Sequence, residues 1–242
     1  MIDDWKKGAK YWDSAWNPVI GCKKISEGCQ NCYACRMADQ YPELRDANGG
    51  FEPHSPKKLK NPPKKGIVFA GNMTDLFGEW NDHDTLCKYI WMLEEKAINL
   101  VLTKRVSRLA EYNSFYPHIN FGMTAENQVR YDERIKHFRN FFQSGTPWLS
   151  AEPLLGPIDM QLKYIAPEDM PFQWVVVGAE SGPNRRPCKL EWIREIVRQC
   201  QEFGILVFVK QLDLDGKLEK DIAKFPADLQ IRQMPLEWLG KV

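Results

Sequence analysis

Four of the seven cysteines in the 242-residue chain are clustered, with the spacing Cys22-x6-Cys29-x2-Cys32-x2-Cys35. Thiolates are metal ligands, and two kinds of metal centre fit these residues. Three thiolates can hold a [4Fe–4S] cluster and leave one iron open to a substrate or cofactor. Four can close a structural zinc site, but such sites normally divide into two separate Cys-x-x-Cys pairs. The intervening residues are too polar for inert core cysteines, so the spacing favours iron–sulfur, with zinc as the alternative.

The fourth cysteine of this cluster is treated separately. Cys35 lies on a predicted helix, and we interpret it as a small helix-face residue rather than a ligand. The three cysteines outside the cluster are interpreted as structural: Cys87, Cys188 and Cys200. An odd number of cysteines argues against a disulfide framework.

A second set of chemistry-bearing residues follows the apolar segments of the chain. Each segment is followed at once by carboxylates, amides, hydroxyls or cations: 71–75, 103–105, 124–127, 152–153, 178–182 and 210–211. Glu152, Glu180 and Lys210 abut apolar runs directly, where a purely structural loop more often has Gly, Asn, Asp or Ser. Polar groups that converge around an apolar mouth are typical of a small-molecule site. Ordinary loop polarity is the alternative for any single residue.

The elements that must position these residues alternate along the chain. Predicted strands cover 67–70, 100–102, 119–123, 148–151, 174–177 and 205–209, and 16–22 is either a first strand or a loop. Predicted helices cover 30–40, 85–97, 106–112, 128–142 and 189–203. Short, nearly all-apolar strands that alternate with helices predict parallel βαβ units covered on both faces.

The predicted fold class is therefore α/β. No Gly-x-Gly-x-x-Gly or Walker motif follows any strand, so a Rossmann or P-loop fold lacks its fingerprint. A full or partial (β/α) barrel fits better, and the active sites of barrels lie at the carboxyl ends of the strands.

Length and composition predict one globular domain over residues 1–242. It contains a Pro-rich connector at about 42–66 and a short C-terminal extension from about 212, read as a closing turn and a short helix. Lys and Arg total 33 and Asp and Glu total 32, which excludes a strongly basic DNA-coating protein. No membrane-spanning segment or signal peptide is visible, so we expect no membrane partner and a cytoplasmic location.

The order of motifs resembles a phage- and prophage-borne three-cysteine family that is similar to radical S-adenosylmethionine (SAM) enzymes. The resemblance covers nearly the whole chain. The motifs that carry it are Trp16-Asn-Pro-Val-Ile-Gly-Cys22, Ser26-x-Gly-Cys-x-Asn-Cys-Tyr-Ala34, Met73-Thr-Asp-Leu-Phe77, Leu102-Thr-Lys-Arg105, Glu126-Asn127, Glu152-Pro-Leu-Leu-Gly-Pro157, Gly178-Ala-Glu-Ser-Gly-Pro183 and Lys210-Gln211.

The resemblance implies a partial (β/α) barrel of the radical SAM type, with the cluster in the loop after the first strand. The implied ligands of the [4Fe–4S] cluster are Cys22, Cys29 and Cys32, and the family usually lacks a cysteine at the position of Cys35. The first gap of six residues departs from the commonest radical SAM signature, Cys-x3-Cys-x2-Cys. This departure concerns the geometry of the loop more than the presence of the cluster.

The resemblance also implies roles for the strand-end residues. The methionine part of SAM would be contacted by Gly71, Asn72, Met73 and Thr74, with Asp75 adding a carboxylate. The ribose hydroxyls would be held by Thr124, Glu126 and Asn127, while Glu152 and Glu180 face the same mouth. The cations Lys104, Arg105 and Lys210 would neutralise a substrate carboxylate or phosphate, and with Glu152 they form the expected catalytic set.

The implied reaction is cleavage of SAM to a 5′-deoxyadenosyl radical that abstracts hydrogen from the substrate, with an external electron donor. The phage setting suggests DNA base hypermodification, for example isomerisation of an amino-acid-substituted thymidine, with a lyase as the second reaction type. The substrate would be a modified nucleoside or DNA, in the host cytoplasm if the protein is phage-encoded. The basic segment 57–65 would then hold phosphates, or be a solvated loop. The alternative function is a zinc-stabilised nucleic-acid-binding or adaptor protein without catalysis.

Overall fold

The core of the protein is one eight-stranded sheet in which each strand pairs with the next along the chain. The first seven strands are parallel, and the last pairs antiparallel with its predecessor. This computed structural model describes residues 9–110, 116, 118–141 and 145–239. The strands are β1 (Ser14–Trp16), β2 (Ile67–Ala70), β3 (Ile98–Thr103), β4 (Ile119–Thr124), β5 (Trp148–Ala151), β6 (Trp174–Gly178), β7 (Leu206–Leu214) and β8 (Lys217–Glu219).

Helices follow most of the parallel strands. They are α1 (Tyr33–Gln40), α2 (His83–Met92), α3 (Val106–Ala110), α4 (Gln128–Phe138), α5 (Leu190–Glu202) and the short C-terminal α6 (Leu236–Leu239). Val68, Val101 and Val175 from three strands share one buried cluster with the apolar sides of α2, α4 and α5. Parallel strands buried on both faces become nearly continuous apolar runs, as the sequence shows.

The other face of the sheet curves around an aromatic cluster. The ring of buried Tyr11 lies 6.3 Å from Phe69 of β2, 6.0 Å from Trp148, 5.3 Å from Trp174 and 5.6 Å from Phe208 of β7. One side chain that touches the second and the seventh strands requires a strongly curved sheet, because flat neighbouring strands are about 4.8 Å apart. No pairing closes the sheet among the residues that the structure describes.

The predicted class is confirmed, and all six predicted strands are present. β1 ends at Trp16, where the segment considered for a first strand begins, so the two share one residue. The cysteine segment, Cys22–Cys35, lies between β1 and α1 up to Cys32 and continues into α1. The connector 42–66 holds one short 3₁₀ helix, Pro42–Leu44, and an isolated bridge between His54 and Ile20. The ends of two predicted helices, at 111–112 and 142, lie outside the described residues.

The chain after residue 211 contains a turn and a short helix, and a part of it also belongs to the sheet. The last parallel strand continues to Leu214 and turns back into β8 through Asp215 and Gly216, which both have positive φ. The Asp215-Gly216 pair between alternating apolar and polar residues is a hairpin signal in the sequence. The rest of the extension folds onto the sheet, where Trp238 packs 5.0 Å from Trp174.

In the part of the chain that the structure describes, no helix is long and apolar enough to cross a membrane.

Candidate functional site

A cavity of about 220 Å³ opens at the carboxyl ends of the parallel strands. Its wall combines the cysteine segment, the strand ends and two aromatic residues before β1. The predicted site residues that line it are Cys22, Cys29, Cys32, Gly71, Asn72, Met73, Thr74, Asp75, Lys104, Arg105, Thr124, Glu152, Glu180 and Lys210. Glu126 and Asn127 are the predicted site residues absent from this lining. Fourteen of the sixteen predicted site residues therefore lie on the wall of one cavity.

Three of the four clustered cysteines lie at the cavity and the fourth does not. Cys22, Cys29 and Cys32 line the cavity, whereas Cys35 lies on α1 outside the lining. Burial, and after it the neighbouring Asp75 carboxylate, raise the pKa of the Cys22 thiol to about 12. This thiol is therefore protonated at neutral pH unless a bound cation stabilises the thiolate. Among the described residues, no group of three or more His, Cys, Asp or Glu side chains is arranged to hold a metal ion.

Glu126 lies behind the cysteine segment rather than in the cavity wall. Its carboxylate receives Arg134 Nη1 at 2.6 Å, Lys104 Nζ at 3.0 Å and Ser26 Oγ at 2.6 Å. Burial by itself would raise the pKa of Glu126, but the two cations and the serine outweigh it and lower the pKa to about 2. Gly28 packs so closely that a Cβ there would lie 2.2 Å from Glu126 Oε1. Glu126, which was predicted to contact the ribose of SAM, therefore supports the cysteine segment at Ser26 and Gly28.

Asn127, which was predicted with Glu126 to contact the ribose of SAM, caps α4 and contacts Glu27. Its side-chain oxygen accepts from the Arg130 backbone N–H and caps α4. Its amide donates to Glu27 Oε1 at 2.6 Å, and Arg130 donates to the other oxygen of Glu27. The first turn of α4 is therefore bonded to the cysteine segment through Glu27.

Asp75 and Arg105 form a buried pair at the ends of β2 and β3. Asp75 accepts from Thr103 Oγ1, the Lys104 N–H and Arg105 Nη1, which lies 3.2 Å away. Arg105 also donates to Glu79 and to the Lys23 carbonyl at 3.1 Å. Arg105 is 6% exposed and each of its three guanidinium nitrogens has a partner, so it positions the cysteine segment at Lys23.

The loop after β2 holds the start of the cysteine segment. Asn17 donates to Asn72 Oδ1 at 2.7 Å and accepts from the Met73 N–H. Thr74 Oγ1 donates to the Gly21 carbonyl at 2.7 Å, next to Cys22. The side chains of Asn72 and Thr74 therefore connect the predicted SAM-contacting loop to the first cysteine.

Glu180 closes the opposite end of the cysteine segment. It accepts from Asn31 Nδ2 at 3.0 Å and from Arg186, which approaches with both its backbone N–H and its guanidinium. Burial raises the pKa of Glu180, but these partners, led by Arg186, lower it overall. Glu180 thus orders the loop between Cys29 and Cys32.

The cavity floor carries the most accessible pair of charged groups predicted for the site. Lys210 Nζ lies 3.1 Å from Glu152 Oε1, and each side chain keeps a fraction of its surface exposed. The same ammonium lies 5.5 Å from the ring of Tyr11 and 5.7 Å from that of Trp12. These distances correspond to cation–π contacts. A ligand that enters the cavity therefore meets a cation, a carboxylate and an aromatic wall together.

Sequence reasoning missed the residues that support this site. Ser26, Gly28 and Asn31 were quoted only as part of a motif, with no role assigned to them, and Arg134 was not singled out. Ser26 and Gly28 lie within three residues of Cys29, and this proximity was the available signal. Arg134 gave none, since its contact with Glu126 depends on how α4 folds back.

The fold and the cavity define an α/β protein with a three-cysteine segment at the carboxyl edge of a curved, mostly parallel sheet. The chain belongs to the family described as protein of unknown function DUF5131, whose model matches residues 6–228. No curated protein and no solved structure matches the chain.

Proposed function

We propose that this protein is a radical SAM enzyme in which Cys22, Cys29 and Cys32 hold a [4Fe–4S] cluster. The observation that carries the proposal is that these three thiols line one cavity, together with charged and aromatic side chains, while Cys35 does not. When bound, the cluster and SAM supply a 5′-deoxyadenosyl radical for hydrogen abstraction, with the electron coming from an external donor. The curved parallel sheet supports assignment to the partial (β/α) barrel of the radical SAM type.

The residues of the chain supply binding, orientation and exclusion of water. The loop after β2, with Thr124, forms the wall on which we place SAM. Glu126 and Glu180, and Asp75 through Arg105, hold the cysteine segment at Ser26, Asn31 and Lys23, which restrains the backbone that carries the three thiols. Ordered ligands reduce the entropic cost of assembling a metal site.

On the substrate side, Lys210 and Glu152 are the groups that we assign to recognition. The ammonium of Lys210 is suited to a carboxylate or phosphate, and Glu152 to an amino group. Trp12 offers a face for a planar base. We therefore propose a modified nucleoside, free or within DNA, as substrate, with isomerisation of an amino-acid-substituted thymidine as the reaction.

The basic segment supports a nucleic-acid partner for this reaction. Its five lysines are all exposed and lie along a mostly irregular stretch: Lys57, Lys58, Lys60, Lys64 and Lys65. None of them forms an ion pair with another residue in the described ranges. The segment is anchored by Trp16 Nε1, which donates to the Lys60 carbonyl at 2.8 Å.

Salt-dependent binding of single-stranded DNA tests this contact. Replacing Lys57, Lys58 and Lys60 with Gln should lower the slope of log K against log salt by about 2, since each phosphate contact contributes about 0.7. The matched control replaces three exposed lysines elsewhere with Gln: Lys88, Lys96 and Lys217. Equal slopes for the two triple variants would contradict the assignment.

The cluster assignment is tested by a cysteine series with a built-in control. We expect Cys22→Ala, Cys29→Ala and Cys32→Ala to lose bound iron and sulfide after anaerobic reconstitution, while Cys35→Ala retains both. Stoichiometric zinc lost equally in all four variants would instead support the zinc-stabilised binding protein.

A further inference from the structure

The hydroxyl of Ser26 lies between a buried carboxylate and a cysteine sulfur. Ser26 Oγ is 2.6 Å from Glu126 Oε1 and 3.7 Å from Cys29 Sγ. A serine hydroxyl has a single hydrogen, and an ionised carboxylate can only accept. Since Arg134 and Lys104 keep Glu126 ionised, that hydrogen is directed to Glu126.

The direction of this hydrogen matters for the neighbouring sulfur. With its only hydrogen engaged, Ser26 presents oxygen lone pairs to Cys29 and cannot donate to a thiolate there. Hydrogen bonds to ligand sulfurs help to set the reduction potential of an iron–sulfur cluster. Removing electron density from a sulfur favours the reduced cluster, so a withheld hydrogen bond keeps the potential more negative.

We propose that Glu126 is a positioning residue that withholds the Ser26 hydrogen bond from Cys29 and thereby keeps the cluster strongly reducing. This inference rests on the proposed function, because it takes Cys29 as a cluster ligand. It replaces the ribose contact expected for Glu126 with an electrostatic task that acts through Ser26.

The variant Glu126→Gln should reverse the direction of the hydrogen bond between residues 26 and 126, with little change in the shape of the side chain. Arg134 is buried and donates to Glu126 Oε2, so the amide oxygen of the new residue should face Arg134. The amide NH2 then faces Ser26, while Lys104, which is partly exposed, can turn towards solvent. Ser26 becomes the acceptor of that bond, and its hydrogen is free to reach Cys29.

The test is a double-mutant cycle read by redox titration. Wild type, Glu126→Gln, Ser26→Ala and the double variant are reconstituted anaerobically, and iron, sulfide and the EPR-monitored midpoint potential are measured. We expect a more positive potential for Glu126→Gln alone, and potentials near wild type for Ser26→Ala and the double variant. Dependence on Ser26 separates a directed hydrogen from a general structural effect.

Three outcomes would overturn the inference. One is an unchanged potential in Glu126→Gln with a full cluster, and another is an equal shift when Ser26 is absent. The third is a more negative potential in Ser26→Ala, which would show that Ser26 donates to the sulfur in wild type. The comparison of Ser26→Ala with wild type tests the direction of the Ser26 hydrogen even if Glu126→Gln does not fold. Failure of wild type to take up any cluster would instead remove the proposed function, and this inference with it.

Discussion

Substitution of Gly28 by Ala gives a sharp test of how the cysteine segment is held. The new Cβ would lie 2.2 Å from Glu126 Oε1, 2.4 Å from its Cγ and 2.6 Å from its Cδ. Ordinary contact begins at 3.4 Å, so the two groups must separate by 3.4 − 2.2 = 1.2 Å. Glu126 cannot easily yield, because Arg134 and Lys104 pin its carboxylate. The segment that carries Cys29 must therefore move.

The expected cost has two parts that can be measured separately. Overpacking of this kind destabilises by about 1–3 kcal/mol, and each kcal/mol lowers the melting temperature by roughly 2–4 °C in a domain of this size. Displacement of Cys29 should also remove most of the iron taken up on anaerobic reconstitution. Differential scanning calorimetry and iron analysis of the same preparations give both values.

A glycine outside the site provides the matched control. Gly49 has φ +78° and open space around its Cβ position. Gly49→Ala should cost about 1–2 kcal/mol through left-handed backbone strain, and it should leave iron uptake unchanged. Iron content equal to wild type in Gly28→Ala would refute the packing argument.

Two further predictions concern the core and the pH dependence of stability. Tyr11→Ala removes the ring that joins β2 to β7 and should destabilise the protein by about 3–5 kcal/mol in urea denaturation; a change below 1 kcal/mol would show that the ring is not a core element. The lowered pKa of Glu126, about 2 against about 4.3 when unfolded, stabilises the protein above the unfolded value. About 3 kcal/mol should be lost as the pH falls from about 4.3 to about 2, and Glu126→Gln should lack this component; identical pH profiles for the two proteins would contradict the ion-pair account.

The parallel architecture was predictable because each strand is a short apolar run bounded by polar residues. β5 was predicted with its observed bounds, Trp148–Ala151. The three-residue strand β1 was not predicted with its observed bounds, since its mixture of polar and apolar residues is also typical of a loop. The extent of β7 was missed because Lys210 and Gln211 end the apolar run in the sequence, yet in the structure they continue the strand.

Which residues form the site was easier to predict from the sequence than what each of them does. Polar residues at strand ends converge by topology, which the sequence reveals. Their partners come from distant segments, as with Ser26 and Glu126, and such pairing depends on the path of the folded chain. Asn127 is an exception, because an Asn directly before a helix is a common N-cap and could have been recognised as one.

The central claim is most directly tested on the wild-type protein, purified anaerobically and analysed for iron and sulfide. It is then reduced with dithionite in the presence of SAM and assayed for 5′-deoxyadenosine. The account predicts about four irons per chain and formation of 5′-deoxyadenosine that depends on both reductant and protein. Stoichiometric zinc without iron, and intact SAM after reduction, would contradict it.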